Sequence, residues 1–162
     1  GFGICDLENI SFKNMTVTNT TYNGQGINMT NAKVELFEVA LQECGNAGLR
    51  IPSPSSVTSV VATRCEFANS QYGALVYGSL TSATFNNCVF HDNTQRGIYG
   101  HQSTIHLHGE ATAIHSNGRY GIFADMICKV IIHLPSHHNT SYNNGMQDRR
   151  TRRGGTITNV ED

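Results

Sequence analysis

With 162 residues, 38 % of them apolar, the chain has the length of one domain of about 100–200 residues. Eleven basic and twelve acidic side chains leave a formal net charge of −1, which excludes a general electrostatic affinity for nucleic acid or anionic membrane. No stretch approaches the ~20 consecutive apolar residues of a membrane helix; the polarity comes from sixteen Asn, sixteen Gly and many Ser and Thr, which favour turns and strands.

In chain order, the repeating signal is a glycine followed by an apolar residue. It occurs in Gly26-Ile27-Asn28-Met29, Gly48-Leu49-Arg50-Ile51, Gly73-Ala74-Leu75-Val76, Gly97-Ile98-Tyr99-Gly100 and Gly121-Ile122-Phe123-Ala124, with Gly145-Met146 opening a sixth unit. The steps between these glycines are 22, 25, 24, 24 and 24 residues. Asn69, Asn93 and Asn117 each stand four residues before the next repeat glycine, and Ser141 takes that place in the last full unit. Short alternating runs fill the units: Val34 to Leu36, Thr63 to Phe67, Asn87 to Phe90, Ile105 to Leu107, Ala111 to Ile114 and Val130 to Ile132. Period-two alternation between small turn residues predicts strands. Lys33 to Gln42 comes nearest to a helical pattern, but its β-branched and aromatic content fits a strand better.

A unit of about 24 residues with two or three short strands cannot bury its own apolar side, but copies stacked on one another can. The expected fold is all-β: a single-stranded right-handed parallel β-helix (solenoid) of about six coils, one domain over residues 1–162, with repeats over about 4–146. Residues 147–162, with the run Asp148 to Gly155, are expected to form a loop and then a terminal strand, Thr156 to Val160. Ile27, Leu49, Ala74, Ile98, Ile122 and Met146 should stack inward as one ladder, and Met29, Ile51, Val76, Gly100 and Ala124 as a second. The recurrent Asn is expected to hold a left-handed turn and to bond neighbouring turns. The glycine is expected to allow the sharp re-entry into the next strand.

Units such as Asn87-Cys88-Val89-Phe90-His91-Asp92-Asn93-Thr94-Gln95-Arg96-Gly97-Ile98 resemble the N-x-h-x-x-N-x-x-x-G-I repeat of the pectate-lyase-like superfamily. Similar repeats occur in polysaccharide lyases, alginate C5-epimerases, phage tailspikes and some F-box proteins. The stretch from Lys129 to Asn144 looks like β-helix proteins of marine algae and their viruses. That resemblance implies an extracellular or virion-associated setting. In this superfamily active sites lie on the outer surface of the first sheet or in adjoining loops. The outward positions two and four residues after each repeat glycine give Asn28, Arg50, Leu75, Tyr99 and Phe123 in one column, and Thr30, Pro52, Tyr77, His101 and Asp125 in the next. Tyr, His, Arg and an acid are the groups that abstract a proton alpha to a sugar carboxylate and neutralise its charge. Tyr99-Gly100-His101 is the nearest match to the epimerase motif YG-x-DPH-D, and it lacks the DPHD portion.

Two functions follow. The first is a non-catalytic recognition or scaffold module that binds a glycan or a protein through an outer strip containing Tyr77, Leu75, Tyr99 and Phe123. The alternative is a polysaccharide lyase or uronate C5-epimerase using Tyr99, His101, Asp125 and Arg50. No cofactor or metal is expected. His106 and His108 share a strand face and His133, on the next coil, is expected to stack near them, but no acid or Cys is placed to complete a ligand set. His91, His115, His137 and His138 fall in turn regions, and Glu35, Glu38, Glu43, Glu66 and Asp92 are too scattered for a calcium cage. Cys44, Cys65 and Cys88, about one coil apart, are expected as a stacked interior ladder of free thiols. Sequons stand at Asn9, Asn14, Asn19, Asn28 and Asn139. No leader is expected at Gly1, absent or already removed. Open solenoid ends would make the chain a piece of a longer protein or a homo-oligomer.

Overall fold

The computed structural model describes residues 1–134 and 140–161. They form eighteen strands and no helix, all pairing in parallel. The chain winds through three faces per coil. The first face is a 7-stranded sheet of β1 (Phe2–Cys5), β3 (Gln25–Thr30), β5 (Ala47–Ile51), β8 (Tyr72–Tyr77), β11 (Arg96–His101), β14 (Tyr120–Asp125) and β17 (Gln147–Arg152). The second and third faces merge into one 11-stranded sheet, because β2 (Ile10–Asn19) and β4 (Lys33–Cys44) run across both. Later coils divide the two faces. The second holds β6 (Thr58–Thr63), β9 (Thr81–Asn86), β12 (Thr104–His108), β15 (Lys129–Leu134) and β18 (Thr156–Glu161); the third holds β7 (Glu66–Ala68), β10 (Val89–His91), β13 (Ala113–His115) and β16 (Ser141–Tyr142). The Lys33–Gln42 segment is strand, as its composition predicts.

The inward ladders follow the repeat. Ile27 pairs with Leu49, Leu49 with Ala74, Ala74 with Ile98 and Ile98 with Ile122, all fully buried. Val76, Gly100 and Ala124 stack two residues on. Phe67, Phe85 and Phe90 fill the centre, with Phe67 and Phe90 stacked at 4.4 Å between ring centroids. Burying each large apolar side chain contributes about 1.5–3 kcal/mol.

Most corners carry a residue in the left-handed region. One column is Glu43, Asn69, Asp92, Ser116 and Asn143, with φ between 51° and 55°. The neighbouring position carries a hydrogen-bonded ladder. Asn117 Oδ1 accepts from the backbone N and from Nδ2 of Asn93, and Asn144 Oδ1 accepts from the same two groups of Asn117. The expected double role of one Asn is therefore divided between adjacent residues. Asn69 makes the left-handed turn, and Ser70 stands in the ladder, its N donating to Asn93 Oδ1 at 3.1 Å. Cys44 belongs to this corner, its N donating to Ser70 Oγ, and not to a thiol ladder with Cys65 and Cys88. Those three are buried and free, as is Cys128, while Cys5 is exposed.

The repeat glycines answer to space rather than to φ: none of them is among the residues with positive φ. A Cβ on Gly73 would lie 2.6 Å from the carbonyl oxygen of Gly97, and one on Gly97 would lie 2.9 Å from that of Gly121. Each glycine lets the next coil's backbone approach.

The last coil departs from the expected register. Ile122 pairs with Arg149, so Met146 is not in the inward ladder and is 60 % exposed. Asn144-Gly145 is the corner counterpart of Asn117-Gly118, with Gly145 N donating to Asn117 O. The arginine run is not a loop: Arg149, Arg150 and Arg152 lie in β17, paired along β14, and the turn comes after them at Arg153-Gly154-Gly155. Thr63 to Phe67 is likewise no single strand, because Arg64 turns the corner with φ 52°.

Candidate functional site

The outward side of the first face collects aromatic rings and guanidinium groups because equivalent positions of successive coils stand side by side. The first expected column holds, and the second holds from Tyr77 onward. Leu75 pairs with Arg50 and Tyr99, Tyr99 with Phe123, and Phe123 with Arg150; Tyr77, His101, Asp125 and Arg152 align two residues on. Pro52 lies outside the paired register of this face. A third column, Tyr72, Arg96 and Tyr120, lies one residue before the repeat glycine. It escaped the sequence reading, which began after the glycine, although the same 24-residue step carries it.

Arg96 is the centre of this surface. Its guanidinium carbon lies 4.4 Å from the Tyr99 ring centroid, 4.5 Å from that of Phe123, 5.7 Å from Tyr120 and 5.8 Å from Tyr72. Its Nε is buried and has no hydrogen-bond partner among the described residues. Cation–π attraction holds such a group at about 0.5–2 kcal/mol. Tyr77 meets Tyr99 edge-on at 5.5 Å and His101 at 5.6 Å. Leu75 and Phe123, expected on an open strip, are only 5 % exposed and form the floor of the platform. The partly exposed side chains are Tyr72, Tyr77, Arg96, Tyr99, His101 and Tyr120.

Residues 1–160 match the family described as a right-handed β-helix region. The chain belongs to this family. No curated protein and no solved structure matches it, so no relative supports the resemblance to algal and viral proteins.

The four residues expected to do chemistry in this β-helix are only partly assembled. Tyr99 Oη donates to Asp125 Oδ2 at 3.2 Å, and His101 Nδ1 lies 4.0 Å from the same oxygen. Arg50 stands apart, separated from Tyr99 by the Leu75 strand, and donates to Asn28 Oδ1. The cation on Asp125 is Arg153, which grips both carboxylate oxygens, with Nε on Oδ1 at 2.8 Å and Nη2 on Oδ2. The sequence hid this partner, because Arg153 lies in a corner that follows a strand with no apolar alternation. Met126 N adds a further bond to Oδ1.

These contacts decide the charges. Hydrogen bonds from Arg153, opposed by burial and helped by Tyr99, hold the Asp125 carboxyl down at about 2. Burial, reinforced by neighbouring Tyr99 and Tyr72, pushes the Tyr77 phenol up to about 12. Burial and the Asp125 charge raise Tyr99 as well. At neutral pH both phenols keep their protons, and Asp125 is an ionised carboxylate with its lone pairs engaged. A general base needs an open lone pair and a pKa near the working pH, and none of these three groups offers both.

The Asp125–Arg153 pair predicts an acid-sensitive stability term. A carboxyl whose folded pKa is below its unfolded value of 3.8 stabilises the folded state above that value, and the stabilisation fades as pH falls towards about 2. At ~1.36 kcal/mol per pH unit, the contribution at neutral pH is on the order of 2 kcal/mol. Urea unfolding of wild type and Asp125→Asn should differ by about that amount at neutral pH and converge near pH ~2. A difference that is constant with pH would remove the ion pair as its cause.

On the third face, Glu66 and Asp92 are not simply solvated. His91 lies between them, Nε2 at 2.7 Å from Glu66 Oε1 and Nδ1 at 2.7 Å from Asp92 Oδ2, beside a cleft of about 720 Å³. Burial pulls the His91 pKa down, and hydrogen bonds to Asp92 and Glu66 more than offset it. His91 and His115 end strands β10 and β13 rather than lying in turns. His137, His138 and Asn139 lie outside the described residues. On the second face, His106, His108 and His133 come together.

Proposed function

We propose that this β-helix is a non-catalytic recognition module whose first face binds an acidic glycan. The observation that carries the proposal is the Arg96 guanidinium seated among Tyr72, Tyr99, Tyr120 and Phe123, with no carboxylate paired to it among the described residues. Tyrosine faces stack on sugar rings, and a guanidinium with spare donors receives a sugar carboxylate through paired N–H bonds. The charge of the face points the same way. Its outward columns carry Arg50, Arg96, Arg150 and Arg152, and their one acid, Asp125, is 1 % exposed and neutralised by Arg153. The locked carboxylate and the protonated phenols favour binding over a lyase or epimerase reaction.

Calorimetric titration with alginate and polygalacturonate oligosaccharides tests this. Binding should occur without any rise in ultraviolet-absorbing unsaturated uronate and without epimerised residues by NMR. Arg96→Ala and Tyr99→Ala should each weaken binding by about tenfold, the equivalent of ~1.4 kcal/mol. Turnover that His101→Ala abolishes would replace the proposal with the enzymatic alternative. A failure to bind acidic or neutral glycans would overturn it.

A further inference from the structure

The second face holds a cluster that the glycan platform does not use. His106 and His108 lie two residues apart on β12, and their side chains share its outward side. β12 pairs with β15 through Leu107 and Ile132, which brings His133 level with His108 on the next coil. The rings are close: His108 and His133 stack with centroids 3.8 Å apart and planes at 15°, and His106 lies 5.2 Å from His133. His106 Nδ1 is 2.9 Å from His133 Nε2. One ring nitrogen from each of the three lies within 4.8 Å of the other two.

We propose that His106, His108 and His133 form a binding site for a late first-row divalent cation of the zinc, nickel or copper class. Imidazole nitrogen suits these ions, and three protein ligands with an open fourth position are a recurrent zinc arrangement. A tetrahedral ion with metal–nitrogen bonds of about 2.0–2.1 Å sets its ligand nitrogens roughly 3.3 Å apart. The 2.9 Å separation of His106 and His133 is slightly under that value, and the stacked His108 and His133 rings have to turn out of their parallel arrangement to aim their in-plane lone pairs at one ion. The adjustment is one of side-chain rotation, because strand pairing already holds the three backbones side by side. The surrounding frame is neutral. The register neighbours are Thr84 and Asn86 on β9, Ile131 on β15, and Thr158 and Val160 on β18. With no acid among these neighbours, the ligand set is imidazole alone, which disfavours calcium and magnesium. All three histidines are partly exposed, so the fourth position faces solvent and takes water or a ligand from solution.

The test uses the full chain, freed of metal with a chelator and titrated with zinc chloride by calorimetry and with cobalt chloride by visible absorbance. One ion should bind per chain with micromolar affinity, and cobalt should give the intense bands of a tetrahedral site. His106→Ala, His108→Ala, His108→Gln and His133→Ala should each weaken binding by about tenfold or more, at least what loss of an outer-shell partner costs. These side chains are partly exposed, so circular dichroism and urea midpoints should stay at wild-type values. The double variants His91→Ala/His115→Ala and His137→Ala/His138→Ala should bind as wild type does. Absence of zinc binding at submillimolar concentration would overturn the site. So would binding that survives His133→Ala, or binding lost in His137→Ala/His138→Ala but kept in His106→Ala.

Discussion

Asn117→Ala is expected to destabilise the protein by about 3–5 kcal/mol, a large share of the ~5–15 kcal/mol that holds most domains together. Asn117 is 1 % exposed and lies in the middle of the corner ladder. Its Nδ2 donates to the carbonyls of Phe90 and His115 and to Asn144 Oδ1, and its Oδ1 accepts both donors of Asn93. Truncation leaves Asn93 N, Asn93 Nδ2 and Phe90 O without this partner in a place closed to water. Each such buried group costs about 1–3 kcal/mol. Asn144→Ala, at the more open end of the ladder, should cost less, on the order of 1 kcal/mol. Urea unfolding of both variants checks the ordering. A loss under about 1 kcal/mol at Asn117 would mean that the ladder does not hold the corner.

Gly97→Ala is the second large effect. Its Cβ would sit 2.6 Å from Ile114 Cγ2 and 2.9 Å from both Asn117 Nδ2 and the Gly121 carbonyl oxygen. The nearest of these is a packed core side chain, and another belongs to the backbone of the adjoining coil, so relief requires the coils to part. Overpacking of this kind costs about 2–3 kcal/mol, which lowers the melting temperature by roughly 5–10 °C at this chain length. Gly3→Ala is the matched control: nothing lies within 4 Å of its Cβ. It should change stability by no more than about 0.5 kcal/mol. Equal effects at the two positions in calorimetric melting would contradict the close approach as the reason for the repeat glycine.

The fold was legible because stacking converts a sequence period into a spatial column. Ile98 and Ile122 are 24 residues apart in the chain and directly paired in the sheet. Legibility failed where the period alone could not distinguish two columns. Gly145 continues the 24-residue step from Gly121, yet it belongs to the corner with Gly118, and the strand register resumes with Arg149 opposite Ile122. An arginine run has no apolar alternation, so β17 could not be seen as a strand, and Arg153 could not be seen as the partner of Asp125. Cys44 failed similarly: its 21-residue step to Cys65 is shorter than the true coil step from Cys44 to Ser70. The outward columns of Tyr77, His101 and Asp125 and of Leu75, Tyr99 and Phe123 were read correctly. Arg96, the residue they surround, was not, because it precedes the glycine used to align them. The histidine trio was half legible. The spacing of His106 and His108 gave one face and the coil step put His133 near them, while its level opposite His108 comes from the folded register.

Both candidate sites depend on that register, and methyl NMR on isoleucine-labelled protein tests it most directly. Ile98 and Ile122 side chains occupy adjacent coils roughly 4.8 Å apart, whereas Ile27 lies four coils from Ile122, roughly 19 Å away. The expected result is a strong cross-relaxation peak between the Ile98 and Ile122 methyls and none between Ile27 and Ile122. A missing Ile98–Ile122 peak, or a direct Ile27–Ile122 peak, would contradict the stacked coils.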